Sequence, residues 1–246
     1  MFLIETYGVI IVSFLLAGCV KGTIGLGFPT IILTLLSLAI GVREAMALML
    51  LPCLLTNVWQ AVRGGHHKII LLRIWPLLLT ASIAAWLTTS FIADIEANLL
   101  SCFLGIVVSI YGIIGLTSPA ILSPGRHEKW MTPVIGAVNG VVTGLTGTFV
   151  VPGVLYLQSL QMKKDVLVQA MGILFLVSTA ALASGLLSHN LINAKLILLS
   201  TGALIPSFVG MAAGQKLRAK IPEKTFQTLF YISLLLLGLY IVSHNL

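Results

Sequence analysis

The chain has 246 residues, 58% of them apolar and 9% charged, with a mean hydropathy of +1.09. A water-soluble globule of this size cannot present so little charge to solvent, so composition excludes one and implies an integral membrane protein. The formal net charge of +7 would suit a nucleic-acid binder, but the Lys and Arg residues fall in short clusters between apolar stretches, where the positive-inside rule puts them, and no nucleic-acid partner is implied.

Glu5 is the first charge, and the opening apolar segment has neither a basic flank nor a small-residue cleavage pattern, so it is expected to be retained. It runs into a glycine ladder, Gly18-Cys19-Val20-Lys21-Gly22-Thr23-Ile24-Gly25-Leu26-Gly27-Phe28-Pro29. The segment 2–41 is too long for one span, and Gly25, Gly27 and Pro29 are too closely spaced for a continuous helix. The remaining stretch, 30–40, is short for a crossing that needs about 20 residues. It is either the return arm of a re-entrant hairpin or a short second crossing; both give the same sidedness downstream.

A charged pair, Arg43-Glu44, then opens a long span carrying Asn57, Trp59 and Gln60. The loop Gly64-Gly65-His66-His67-Lys68 leads to uncharged stretches at 74–93 and 97–125, with Asp94 and Glu96 between them. Two adjacent loop histidines without further ligands make no metal site. Cys19, Cys53 and Cys102 lie in apolar segments without CxxC spacing and read as packed thiols. No metal and no cofactor are expected.

The most polar stretch, Thr117 to Thr132, contains Ser118, Pro119, Ser123, Pro124, Gly125, Arg126, His127, Glu128 and Lys129 and falls mid-chain. After it the order of events repeats. A second ladder, Gly136-x3-Gly140-x3-Gly144-x2-Gly147-x4-Pro152, carries Asn139, Thr143, Thr146 and Thr148. Next come a charged pair, Lys164-Asp165, a long span with Gln169, Ser178 and Thr179, the loop Ser188-His189-Asn190, and two more spans. Uncharged stretches cover 130–162, 166–194, 196–215 and 225–246. The chain therefore reads as a single transmembrane domain, with pseudo-repeat 1 at 1–118, a linker at 119–131 and pseudo-repeat 2 at 132–246.

An odd effective number of crossings per half makes the repeats inverted. With the N-terminus outside, the clusters of Arg63, Lys68 and Arg73, of Arg126 and Lys129, of Lys163 and Lys164, and of Lys216, Arg218, Lys220 and Lys224 all become cytoplasmic, while Asp94, Glu96 and His189 fall outside. Only Arg43 and Lys195 are misplaced, and an even count fits much worse. The expected fold is an all-α integral membrane protein of two inverted repeats, each a Gly/Pro-broken helical hairpin followed by about three transmembrane helices. Alternating barrel patterning is absent. The expected arrangement is multi-pass, with the linker cytoplasmic.

Paired Gly/Pro breaks at corresponding places in two hydrophobic halves point to the substrate site of a secondary transporter. Gly22, Gly25, Gly27 and Pro29, and Gly140, Gly144, Gly147 and Pro152, are the expected break or hinge residues, although glycines at this spacing also let helices pack closely. Backbone freed from helical bonding at membrane depth must be buried or line a wet cavity. Half-helices beginning near Phe28 and Thr148 would aim their positive ends into that cavity, which suits an anion. Lys21 would supply a cation there, or else snorkel to the interface. Thr23, Asn57, Asn139, Thr143, Thr146, Thr148 and Gln169 are the uncharged substrate-binding candidates. Glu44 and Asp165 fit the first turns of helices. With no GxxxxGK[ST], GxSxG or HExxH motif, the chain is not expected to be an enzyme.

The two ladders, each leading to a Pro and then a charged pair, resemble the TauE/SafE sulfite exporter family over nearly the whole chain. The second copy matches the family pattern well; in the first, Gly27-Phe28-Pro29 brings the proline closer, and neither copy has the fuller Gly-Gly run. The resemblance implies a carrier of the cell inner membrane that exports a small anion such as sulfite or an organosulfonate, and the paired breaks suggest that it works by alternating access. The alternatives are a carrier of a neutral or cationic metabolite and a non-transporting scaffold subunit. The expected partners are the small anionic substrate and the lipid bilayer, and close Gly packing is compatible with a homodimer.

Overall fold

The structure is a computed structural model that describes residues 4–92, 94–117, 123–218 and 223–245. Residues 119–122 of the expected linker, and Lys220 of the last basic cluster, lie outside the described residues. Among the described residues there is no strand. The helices are α1 (Ile4–Ile24), α2 (Phe28–Ile40), α3 (Val42–Val62), α4 (His67–Thr89), α5 (Ala97–Thr117), α6 (Glu128–Thr146), α7 (Gly153–Ser159), α8 (Lys164–Ser188), α9 (Ala194–Gly202), α10 (Leu204–Arg218) and α11 (Glu223–Asn245).

Seven segments among the described residues are long and apolar enough to cross a bilayer: α1, α3, α4, α5, α8, α9 with α10 taken together, and α11. The protein is a multi-pass helical membrane protein. Large side chains such as Leu72, Leu198 and Ile205 point outward at about 70% exposure (69%, 72% and 72%), which lipid tolerates and water would not. Glu44 and Asp165 sit in the first turns of α3 and α8, where a carboxylate offsets the amide dipoles. Cys19, Cys53 and Cys102 are free thiols, and no group of three or more metal-ligating side chains occurs among the described residues.

The chain forms two compact units, and each draws on both halves of the sequence. One comprises 1–52, 95–119 and 192–246, the other 53–94 and 120–191; α3 is divided between them at Pro52. In the first unit, α1 packs along α10 and α5 along α11. Glycines make both seams possible. A Cβ on Gly18 would lie 2.2 Å from the Ser207 carbonyl oxygen, and one on Gly214 2.0 Å from that of Cys19. A Cβ on Gly238 would meet Ser109 Oγ at 2.5 Å. Without a hydrophobic drive between helices in lipid, such backbone approach is what holds them together.

The second unit repeats this logic with other residues. There α6 packs along α4, and Cβ atoms on Gly136 and Gly140 would fall 2.2 Å from Thr80 Oγ1 and 2.3 Å from the Ala81 carbonyl oxygen. At one end of this seam Arg73 on α4 holds Glu128 on α6 through Nε to Oε1 at 2.7 Å and Nη2 to Oε2 at 2.9 Å. The uncharged stretch 130–162 is thus two helices, α6 and the seven-residue α7, joined by a turn.

Candidate functional site: the two helix breaks

In the first unit α1 ends at Ile24 and α2 begins at Phe28. Gly25 and Gly27 both have positive φ, 80° and 88°, a conformation that L side chains resist. Space alone would admit a Cβ at Gly25, which has no neighbour within 4 Å; at Gly27 it would also strike Phe230 Cζ at 2.7 Å. Pro29 falls in the first turn of α2, where a missing N–H costs nothing. Phe28, wholly buried, packs on Phe14 at 6.1 Å between ring centroids.

Lys21 lies in the last turn of α1, where its charge suits the helix dipole. Only 6% of it is exposed, and its ammonium sits 5.8 Å from the Phe28 ring centroid, within cation-π range. Thr23 is buried; its hydroxyl reaches the carbonyls of Cys19 at 2.8 Å and Gly214 at 3.1 Å, bonding α1 to α10. Gly22 lies inside α1, and its Cβ would be 2.2 Å from the Met211 carbonyl oxygen. The first ladder therefore divides: Gly18 and Gly22 pack, while Gly25 and Gly27 break.

The second ladder divides in the same way. Gly140 and Gly144 are inside α6 against α4, and Gly147, with φ 73°, ends the helix. The second arm starts at Gly153, with Pro152 as its cap, five residues beyond the expected Thr148. Hydrogen bonds hold 147–152 out of the helix. Thr143 Oγ1 donates to the Thr148 carbonyl at 3.1 Å, Thr146 Oγ1 donates to the Val142 carbonyl at 2.7 Å, and Thr146 Oγ1 accepts the Thr148 amide at 3.2 Å. The Thr146 and Thr148 hydroxyls are 2.9 Å apart. Each hydroxyl has one proton, so once Thr146 donates to Val142, Thr148 must donate to Thr146. All three protons are used within the last turn of α6 and the turn that follows it.

Asn139 is fully buried on α6, and its Oδ1 accepts the Gly153 amide at 2.9 Å. Its Nδ2 has no partner. The other two amides are braces. Gln169 on α8 donates from Nε2 to the Ala61 carbonyl at 2.9 Å and accepts the His66 amide on Oε1 at 3.0 Å. Asn57 Nδ2 donates to Thr179 Oγ1 at 3.3 Å.

One residue at the first break is not evident from the sequence. Thr30, in the first turn of α2, is 1% exposed and its hydroxyl has no partner. The available signal is its position directly after Pro29, matching the threonines that crowd the second break.

The fold defines a class first: a polytopic helical membrane protein with glycine-packed seams and two interrupted helices. The family described as sulfite exporter TauE/SafE matches residues 10–241, and the chain belongs to that family of membrane transporters. No curated protein and no solved structure matches the chain.

Proposed function

We propose that the chain is a secondary transporter that exports a small oxyanion of the sulfite or organosulfonate type, by alternating access around the two breaks. The observation that carries this reading is that each break holds a buried side-chain donor without a partner, Thr30 Oγ1 in one unit and Asn139 Nδ2 in the other. Leaving such a group unmatched costs about 1–3 kcal/mol, and buried polar groups are otherwise nearly always paired. At each break taken by itself, an oxyanion offers the acceptor that the donor lacks. Lys21 supplies positive charge at the first break, and the amides at the start of the 13-residue α2 add their dipole. A buried ionisable residue on a membrane helix is a functional candidate by default. Thr143, Thr146 and Thr148 hold the backbone of the second break, Thr23 ties α1 to α10 beside the first, and Asn57 and Gln169 brace α8 against α3 and the turn that follows it.

The inverted-repeat reading draws support from the seams. Exchanging the halves pairs α1 with α6, α4 with α9 and α10, and α5 with α11; the α1–α10 seam becomes α6–α4, and the α5–α11 seam maps onto itself. At 1.5 Å per residue α7 reaches only about 10 Å, which favours a re-entrant arm over a second crossing.

The test is flux of sulfite and sulfoacetate in proteoliposomes, comparing the intact protein with Lys21→Ala and Thr30→Val. The expected result is flux in the intact protein and a fall of about tenfold or more in both folded variants, the loss of one charge-assisted contact. Undiminished flux in both variants removes the site from the breaks, and no flux in the intact protein removes the substrate class.

A further inference from the structure

We infer that the groove at the Arg73–Glu128 end of the α4–α6 seam is a binding site for an anionic phospholipid headgroup. This does not rest on the transport reading. The groove, of about 510 Å³, is lined by Arg73, Trp75, Arg126, Glu128, Lys129 and Thr132, among others, a size that suits a small ligand group. Its single carboxylate is engaged in both of its oxygens by Arg73. Arg126 and Lys129 line the same groove, are exposed, and have no carboxylate partner among the described residues. The groove thus carries two uncompensated positive charges, and its complement is an anion.

The apolar surface beside it selects a lipid over a soluble phosphate. On α4, Leu72 and Trp75 open a stripe that continues through Leu79, Ile83 and Trp86, all exposed and all on one face at i, i+3, i+7, i+11 and i+14. On α6, Trp130 opens a second stripe through Val134, Val138 and Val141. Each has a tryptophan next to the charged groove, Trp75 and Trp130, and continues away from it as aliphatic surface, which on α4 ends at Trp86. Tryptophan marks the level of the headgroups, and basic pockets between helices at that level take lipid phosphates. A ligand charged at one end and apolar at the other satisfies both parts; a free phosphate satisfies one.

The experiment uses the full chain in detergent, titrated with dioleoyl-phosphatidylglycerol, dioleoyl-phosphatidylcholine or glycerol phosphate, with retained lipid read by native mass spectrometry. Phosphatidylglycerol is expected to bind in preference to phosphatidylcholine. Arg126→Ala/Lys129→Ala should weaken it by about fivefold for each cation removed. Lys163→Ala/Lys224→Ala, which removes the same charge from exposed positions elsewhere, should leave it unchanged. If the double variant does not fold, Arg126→Gln alone should show the single fivefold step. Equal retention of the two lipids, equal weakening in the control pair, or displacement of phosphatidylglycerol by millimolar glycerol phosphate would each overturn the assignment.

Discussion

Asn139 Oδ1 accepts the amide hydrogen of Gly153 at 2.9 Å, so one side chain spans the second break and caps the arm beyond it. The contact is close enough that a Cβ on Gly153 would lie 2.6 Å from the same oxygen and 2.8 Å from Leu174 Cδ2. Asn139→Ala removes the cap and leaves a buried amide unmatched, for an expected stability loss of about 1–3 kcal/mol. Gly153→Ala should displace Asn139 and produce a similar loss by overpacking. Thermal unfolding in detergent, with flux measured alongside, checks both. Unaltered stability in Asn139→Ala would mean that the cap is dispensable.

Gln169 uses both ends of its amide on backbone, the Ala61 carbonyl and the His66 N–H. It fastens α8 to the turn between α3 and α4, where Gly64, at φ 119°, would bring a Cβ to 2.7 Å from Gln169 Oε1. Gln169→Ala is therefore expected to lower the unfolding temperature while leaving the concentration dependence of flux where it was. Gln169→Glu keeps an acceptor for His66 but turns a buried carboxylate toward the Ala61 carbonyl oxygen, and should destabilise at least as much as the alanine. A raised half-saturation concentration with unchanged stability would instead make Gln169 a substrate contact.

The glycine seams allow a sharper comparison, because position rather than residue type decides the outcome. Gly140→Ala and Gly214→Ala place a methyl 2.3 Å and 2.0 Å from a backbone oxygen of the facing helix, and neither oxygen can move without its helix. Each should destabilise by about 1–3 kcal/mol. Gly8 in α1 has nothing within 4 Å of its Cβ, so Gly8→Ala should be neutral or stabilise by up to about 1 kcal/mol through helix propensity. Denaturation midpoints of the three variants in one detergent decide the matter.

Local chemistry makes some of this legible in the sequence. Gly25 with Gly27, and Gly147, end their helices because no other residue takes positive φ so readily, and Glu44 and Asp165 mark helix starts. The second arm starts five residues later than its ladder suggests because its turn is fixed by hydrogen bonds among Thr143, Thr146 and Thr148; in a sequence those hydroxyls pass for cavity lining just as easily. Thr30 looks like any helical threonine until its burial is known. That α1 pairs with α10 and α4 with α6 is a long-range fact. Ladder spacing says a helix will approach something closely, and nothing in it names the partner.

Inversion of the two halves makes a prediction about sidedness that does not depend on substrate. If α6 and α7 together return the chain to the face they left, Lys163 lies on the side of Ser123, and the 25-residue α8 alone separates it from the loop at His189. Cysteines at Ser123 and His189 should then react from opposite faces. His189 is preferable to its neighbour Asn190, whose φ of 54° is poorly suited to a cysteine. Both chosen positions are exposed, whereas the native Cys53 and Cys102 are buried and Cys19 is half-buried, so the unsubstituted protein sets the background. With a membrane-impermeant maleimide on intact cells, His189→Cys should label directly and Ser123→Cys only after permeabilisation, since the basic cluster of Arg126 and Lys129 beside Ser123 belongs inside. Labelling of both from the same face would require an even number of crossings between them and would remove the inverted arrangement.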